Sequence, residues 1–321
     1  MKELFKKLNS ILNEYNNVII MGHKDPDLDS LGSSIGLAKI LKKKDKKAYL
    51  FLNNSLDKYN SNIRQALEKI SDKIDFVSES TYKKIKGKTL LVILDVNIVD
   101  RLEYKDIIGE YDTLVLDHHI KSSNHIENTI YTYIDSNLSS MSELIAYYAN
   151  YLNVDLHTTI STILLAGIEI DTNGFNLKTT RRTYEAASIL MDMGADSILK
   201  QELLKESKED YVKRSNYLKT SFMINKNMAM CIINKECTSL DLAELAEELL
   251  NFEDVEASFT IGKIDDETVG VSARSLGNIN VEKIMKKLGG GGHKSNAATQ
   301  IKGKTIKEVK QKIIELVKEK D

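Results

Sequence analysis

An apolar run near the start of the chain, Val18-Ile19-Ile20-Met21, reads as a buried strand that stops at Gly22-His23. A polar turn follows, with Asp25, the chain's single proline Pro26, Asp27 and Asp29. Leu31, Ile35, Ala38 and Leu41 then recur at helical spacing. One imidazole and two or three carboxylates are thereby set just past the C-terminal end of a strand, where open α/β sheets place their ligands.

The pattern returns further along. Leu90 to Leu94 is a fully apolar run terminated by Asp95. Leu114-Val115-Leu116 is terminated by Asp117-His118-His119, and Ile130 to Ile134 by Asp135. With a strand over 48–52, these short runs alternate with helix-like segments. The spacing predicts helices over 1–16, 31–44, 61–71, 139–152, 157–170 and 180–193. Such alternation implies an α/β fold with a mostly parallel sheet and helices on both faces. The helix over 157–170 runs into Asp171-Thr172-Asn173-Gly174, where glycine permits a left-handed stop.

A charged stretch over about 195–220, free of glycine and proline, is expected to be a helical linker. Beyond it the pattern changes. Strands are expected over 228–233, 257–263, 268–274 and 297–302, and helices over 240–250, 280–288 and 305–319. This is a smaller α+β unit. The expected domains are therefore 1–194, a linker over 195–222, and 223–321.

The chain has 321 residues and a net charge of −2, which argues against a partner as polyanionic as long nucleic acid. Its two cysteines, Cys231 and Cys237, support neither a disulfide framework nor a zinc site, so a reducing cytoplasm is expected. The first twenty residues are charged and amphipathic rather than signal-like. No apolar run approaches the ~20 residues of a membrane helix. The chain as given is expected to be soluble and without membrane contact of its own, an upstream anchor staying open if it is a fragment.

The donor set carries the chemistry. His23, Asp27, Asp29, Asp95, His118 and Asp171 supply six potential ligands from four segments. Carboxylates suit harder divalent ions and imidazole suits transition metals, so a mixed set points to manganese, with iron or cobalt as alternatives. Without cations the four carboxylates would repel one another. Two divalent ions balance them, and one shared aspartate would hold the ions ~3.5–4 Å apart, as in two-metal phosphotransfer sites. In the C-terminal unit, Gly289 to Gly292 expose backbone N–H groups that can cradle an anion, and Arg274 offers a planar fork for phosphate. Glu143 reads as a helix-start carboxylate, Tyr147, Tyr148 and Tyr151 as packing, and His125 and His157 as exposed.

These motifs resemble those of a known superfamily. His23, Asp27-Leu28-Asp29, Asp95, Asp117-His118-His119 and Asp171 match, in order, the motifs of the DHH phosphoesterases. Val271-Ser272-Ala273-Arg274-Ser275 and Gly289-Gly290-Gly291-Gly292-His293 are similar to the DHH-associated C-terminal domain. Met21-Gly22-His23-Lys24, Val255 to Phe259 and Gly289 to Gln300 most resemble the catalytic portion of GdpP-type cyclic-di-AMP phosphodiesterases, which carry membrane helices and regulatory domains upstream.

The resemblance implies two manganese ions per chain. His23 and Asp27 would hold one, Asp29, His118 and Asp171 the other, and Asp95 would bridge them. Asp95, His118 and His119 would be the catalytic residues, with His119 a substrate or phosphate contact. Arg274, Ser272, Gly290, Gly291, Gly292 and His293 would grip the nucleotide. The implied reaction is hydrolysis of cyclic-di-AMP, a second messenger, to 5′-pApA by a homodimer. The alternative is an oligoribonuclease that also dephosphorylates 3′-phosphoadenosine 5′-phosphate, with a short linear dinucleotide as substrate.

Overall fold

The computed structural model describes residues 1–52, 58–70, 74–121 and 124–318. The chain divides into two compact units, Met1–Glu206 and Ser207–Asp321. Ser71 and Glu319, the last residues of two expected helices, lie outside the described residues.

The elements of the first unit run α1 (Lys2–Asn13), β1 (Asn17–Met21), α2 (Leu28–Lys43), β2 (Lys47–Phe51), α3 (Ser61–Ile70), β3 (Asp75–Val77), β4 (Thr89–Leu94), β5 (Asp112–Asp117), β6 (Tyr131–Ile134), α4 (Met141–Tyr151), α5 (His157–Asp171), α6 (Arg181–Asp192) and α7 (Ser197–Leu203). The six strands form one sheet in the order β3-β2-β1-β4-β5-β6, every neighbouring pair parallel. Strand order reverses between β1 and β4. That is the topological switch point, where side chains beyond the strand ends open into a crevice. His23 follows β1 and Asp95 follows β4, so the sheet itself brings the first two acidic or imidazole ends together.

The mostly parallel α/β sheet expected from sequence is present, with helical cover of two kinds. Along β1, Val18 and Ile20 face a core formed with α1 to α7, while Ile19 and Met21 face the opposite way. That second face is covered by 3₁₀ turns at Tyr82–Lys84, Val99–Arg101 and Lys105–Ile107, with Tyr82, Leu102 and Ile107 buried beneath them. β3 escaped the sequence reading because Asp75-Phe76-Val77 is short and its first two residues are exposed. The helix expected from 31 begins at Leu28 instead. Asp27 caps it, its Oδ1 accepting from the N–H groups of Asp29 and Ser30 at 2.9 Å each.

The stretch read as one linker helix over 195–220 holds two helices, because Ser207 caps a new start, α8 (Lys208–Leu218). The second unit continues with β7 (Phe222–Met223), β8 (Met228–Glu236), α9 (Ser239–Leu249), β9 (Ala257–Lys263), β10 (Thr268–Ser275), α10 (Val281–Lys287), β11 (Gly291–Gly292), β12 (Asn296–Lys302) and α11 (Ile306–Lys318). Its mixed sheet runs β11-β12-β10-β9-β8-β7. α10 and α11 pack on one core, while α9 contributes Leu242, Leu245 and Leu249 to smaller clusters with α8.

Helix packing in the first unit depends on close approach. α2 and α5 touch through Gly32, where a Cβ would meet Ile163. Gly167 on α5 lies against the start of α2. A Cβ there would meet Ser142 Oγ at 2.6 Å, Asp29 Cα at 2.9 Å and Leu28 O at 2.9 Å. Two of these three are backbone atoms that cannot swing aside. Gly167→Ala should therefore destabilise the chain by ~1–3 kcal/mol, the usual cost of overpacking, read as a lower urea midpoint with an unchanged m-value.

Candidate metal centre

Four loops meet beyond the sheet's C-terminal edge. His23 Nε2 lies 3.4 Å from Asp95 Oδ2 and 3.7 Å from Asp27 Oδ2. His118 Nε2 lies 3.0 Å from Asp171 Oδ2, 3.1 Å from Asp95 Oδ1 and 3.8 Å from Asp29 Oδ2. Two triads result, His23–Asp27–Asp95 and Asp29–His118–Asp171, each with ligand atoms within 4.8 Å of one another. A third grouping, Asp95–His118–His119, connects them. All six residues singled out from the sequence are thus gathered at one place.

Each of these side chains is positioned by a different local device. Asp95 has φ +63, an uncommon left-handed conformation for a non-glycine residue, and its N–H donates to Leu116 O at 3.0 Å. Asp29 is buried in the first turn of α2. Its two carboxylate oxygens accept from Met141 N (2.8 Å) and Ser142 N (2.7 Å), the first amides of α4. A helix N-terminus is a natural seat for an anion. Asp171 is the opposite case: it is the last residue of α5, where the helix dipole disfavours negative charge. Thr172 ends that helix, its hydroxyl donating to Ile168 O and accepting from Phe175 N.

The electrostatics of the cluster ask for positive charge. Burial, then the carboxylates of Asp171 and Asp95, raise Asp29 well above the usual carboxylate range. Asp171 is also raised, by burial first and by Asp27 and Asp95 among its charged neighbours, although His118 pulls the other way. Burial resists the ionisation of Asp95, but His118 and His23 hold it low. Burial likewise opposes charge on His23, yet Asp27 and Asp95 push the imidazole up to about 11. His118 is raised for the same reason by Asp171 and Asp95. The carboxylates that raise both imidazoles would favour a bound cation in the same place.

The donor set also passes a test of fit. Asp95 Oδ1 and both ring nitrogens of His118 are buried, and although His118 Nε2 lies 3.1 Å from Asp95 Oδ1, none of the three makes a well-directed hydrogen bond among the described residues. Buried polar atoms are almost always hydrogen-bonded, so this crowded group has room for a further partner. The mixture of carboxylate and imidazole suits a divalent transition ion.

Sequence reasoning missed the support beneath His119. Asp117 is fully buried at the end of β5. Its Oδ1 accepts from His119 N at 3.0 Å and faces His119 Nδ1 at 2.8 Å, while Asn97 Nδ2 donates to its Oδ2. This holds the exposed His119 ring by its Nδ1 edge, which also lies 3.5 Å from Asp95 Oδ1. The signal was Asn97, a polar residue two positions after a strand-ending aspartate. Glu143 is also more than a helix-start carboxylate. It is fully buried, and Oε2 accepts from Ser139 Oγ (2.6 Å) and Thr183 Oγ1 (2.9 Å), tying α4 to α6. Tyr148 packs as expected against Phe5, and His157 is exposed, whereas His125 is half-buried.

In the second unit, Arg274 Nη1 donates to Ser272 Oγ and to Ala273 O, both at 3.1 Å. It makes no ion pair among the described residues. The four glycines differ from the open cradle expected. Gly289, at φ +80, caps α10, its N–H donating to Lys286 O while Gly290 N donates to Met285 O. Gly291 and Gly292 form β11 and pair with Ala298 and Ala297, and His293 N donates to Asn296 O at 2.6 Å. A side chain at Gly290 or Gly292 would strike the β12 backbone. Close strand pairing, rather than free amides, accounts for two of the four.

The comparisons agree with this geometry. The family model described as "DHH family, N-terminal domain" matches residues 17–168, and the DHHA1 domain matches residues 225–319. The chain belongs to the DHH family and carries its DHHA1 domain. It is 37% identical over 325 residues to the cyclic-di-AMP phosphodiesterase GdpP of Geobacillus thermodenitrificans, covering 97% of this chain and 48% of that protein. The chain thus spans about half the length of that relative. It is 23% identical to the bifunctional oligoribonuclease and PAP phosphatase NrnA of Thermus thermophilus, over 94% of this chain and 89% of that one. A crystal structure of an exopolyphosphatase-related protein from Bacteroides fragilis shares the fold, with a TM-score of 0.80 at 20% identity, covering 98% of this chain and 96% of that one. No helix among the described residues is long and apolar enough to cross a membrane.

Three outcomes are expected. Manganese at a hundredfold excess over its dissociation constant should stabilise the chain by ~2.7 kcal/mol per site, read as a rise in melting temperature. Asp171→Asn should raise the melting temperature of the metal-free protein, since its native surroundings disfavour the charge, while shrinking the manganese increment. A lower metal-free melting temperature would contradict the electrostatic reading. Asp117→Asn should lower kcat on a diester substrate roughly 10–100-fold, the range for losing an outer hydrogen-bond partner, with little change in manganese affinity.

Proposed function

We propose that the chain is a manganese-dependent phosphodiesterase that hydrolyses cyclic-di-AMP to 5′-pApA, acting in the cytoplasm as a homodimer. The observation that carries the reading is the meeting of His23, Asp27, Asp29, Asp95, His118 and Asp171, with Asp95 common to both sides. His23 and Asp27 would hold one manganese ion, Asp29, His118 and Asp171 the other, and Asp95 would serve both. Cobalt or iron would meet the same donors. Held there, the ions would supply Lewis acidity toward a phosphoryl group and ease the ionisation of a water, the chemistry of two-metal ester hydrolysis.

The residues divide the remaining work. Asp29 is anchored by the α4 amides, which fix the orientation of its carboxylate. His119, set by Asp117, presents Nε2 to a phosphoryl oxygen. Arg274 and His293, with Ser272, Gly290 and the Gly291–Gly292 strand, hold the nucleotide. Water adds to phosphorus as the bond to the 3′-oxygen breaks. The 3′-oxygen leaves as a hydroxyl and the phosphate stays on the 5′-oxygen. The 37% identity to a cyclic-di-AMP phosphodiesterase, against 23% to NrnA, supports the cyclic substrate.

Kinetics on cyclic-di-AMP, 5′-pApA and 3′-phosphoadenosine 5′-phosphate in manganese decide the substrate. The highest kcat/KM should belong to cyclic-di-AMP; preference for either linear compound would reassign the chain as an oligoribonuclease and phosphatase. Asp95→Asn should lower kcat at least ~10²–10³-fold, as for loss of one preorganised charge-stabilising group. Arg274→Ala should raise KM far more than it changes kcat or stability.

A further inference from the structure

Glu143 is a fully buried carboxylate that the reaction above leaves without a task. Burying such a group is costly unless hydrogen bonds compensate. Its Oε2 collects three donors: Ser139 N at 3.3 Å, Ser139 Oγ at 2.6 Å and Thr183 Oγ1 at 2.9 Å. Its Oε1 is buried without a hydrogen bond among the described residues, and Arg182 Nε stands 3.7 Å away.

These bonds form a capping box displaced by one residue. In the usual box the third helical residue reaches back to the amide of the N-cap. Here the N-cap is Ser140, and its Oγ accepts from Glu143 N at 3.0 Å. The Glu143 carboxylate passes over Ser140 and takes the amide and hydroxyl of Ser139 instead. One glutamate thereby clamps two consecutive serines at the entry to α4. Between the clamped serines and Glu143 lie Met141 and Ser142, whose amides grip the two oxygens of Asp29. Where those amides point depends on how the chain enters the helix. Ser139, Ser140 and Ser142 are all fully buried, so water does not replace a lost bond. Only one of the three donors on Oε2 comes from α6; the other two come from Ser139. The main hold is therefore on the turn that presents the amides, and the tie to α6 is the lesser part.

We propose that Glu143 is a positioning residue for Asp29, acting through Ser139 and the first two amides of α4. The proposal rests on the manganese reading above and deepens it: the geometry of one ligand is set by a carboxylate that touches neither ion nor substrate.

The test uses the full chain and two readouts besides turnover. Electron paramagnetic resonance of free Mn2+ gives manganese affinity. Hydrogen exchange of the metal-free protein, followed by mass spectrometry, gives the protection of the Met141 and Ser142 amides. Glu143→Ala should weaken manganese roughly 10–100-fold, the range for losing an outer hydrogen-bond partner, and speed exchange at these amides about tenfold. Glu143→Gln keeps an acceptor for Ser139 and should stay within about threefold of wild type in both. Thr183→Val removes the α6 arm; it should lower the melting temperature yet leave manganese affinity within about threefold. Ser139→Ala should reproduce part of the Glu143→Ala effect, and it decides the matter if Glu143→Ala does not fold. Unchanged manganese affinity or unchanged protection in Glu143→Ala overturns the positioning role. So does a loss in Glu143→Gln as large as in Glu143→Ala, which would assign the effect to charge alone, or an equal loss in Thr183→Val, which would assign it to helix packing. If wild type binds no manganese, the metal reading falls and exchange at Met141 and Ser142 alone decides the hold on Asp29.

Discussion

Four carboxylates held together against their own repulsion set the terms for the first unit. Asp27, Asp29, Asp95 and Asp171 converge on two imidazoles, and the surroundings leave Asp29 and Asp171 reluctant to ionise. A chain gains nothing in stability from that arrangement alone. It persists because the sheet and helices fix the backbone points from which these side chains project, and because a bound cation would turn repulsion into attraction.

The anchoring is uneven, and the unevenness is informative. Asp27 caps α2 and Asp29 is gripped by the first amides of α4, so both enjoy the positive end of a helix. Asp171 sits at a negative end with no such help. One part of the cluster is therefore preformed by backbone geometry, while Asp171 depends on His118 and on whatever positive charge the cluster binds. Gly167 lets α5 approach Asp29 and Ser142 closely enough for the two arrangements to face each other. Packing and charge are coupled at that one contact.

Much of this was legible from residues alone because strand ends are easy to read. An apolar run broken by aspartate or histidine marks both the end of a strand and the edge at which ligands gather, so β1, β4 and β5 and their terminal residues followed together. The start of α2 was misjudged by three residues because Asp29 looks like a loop residue until Asp27 is seen to cap the helix. Asn97, and the part Asp117 plays in holding His119, escaped because a hydrogen bond between segments twenty residues apart leaves no periodic trace. Glu143 does start a helix, as the sequence suggests, but its burial against Ser139 and Thr183 depends on how α4 meets α6, which composition does not encode.

The glycine run shows how one sequence feature can serve a different physical end from the one it suggests. Consecutive glycines do expose amides, but here Gly289 and Gly290 close the end of α10, and Gly291 and Gly292 pair with β12. Glycine is needed at 290 and 292 because a Cβ would strike the neighbouring strand. The consequence reaches the opposite end of that strand. With β11 zipped onto it, β12 is held flat beside β10, so Ala298 and Gln300 stand in fixed register with Ser272 and Gly270. The run thus closes α10 and braces the sheet on which Arg274 is mounted.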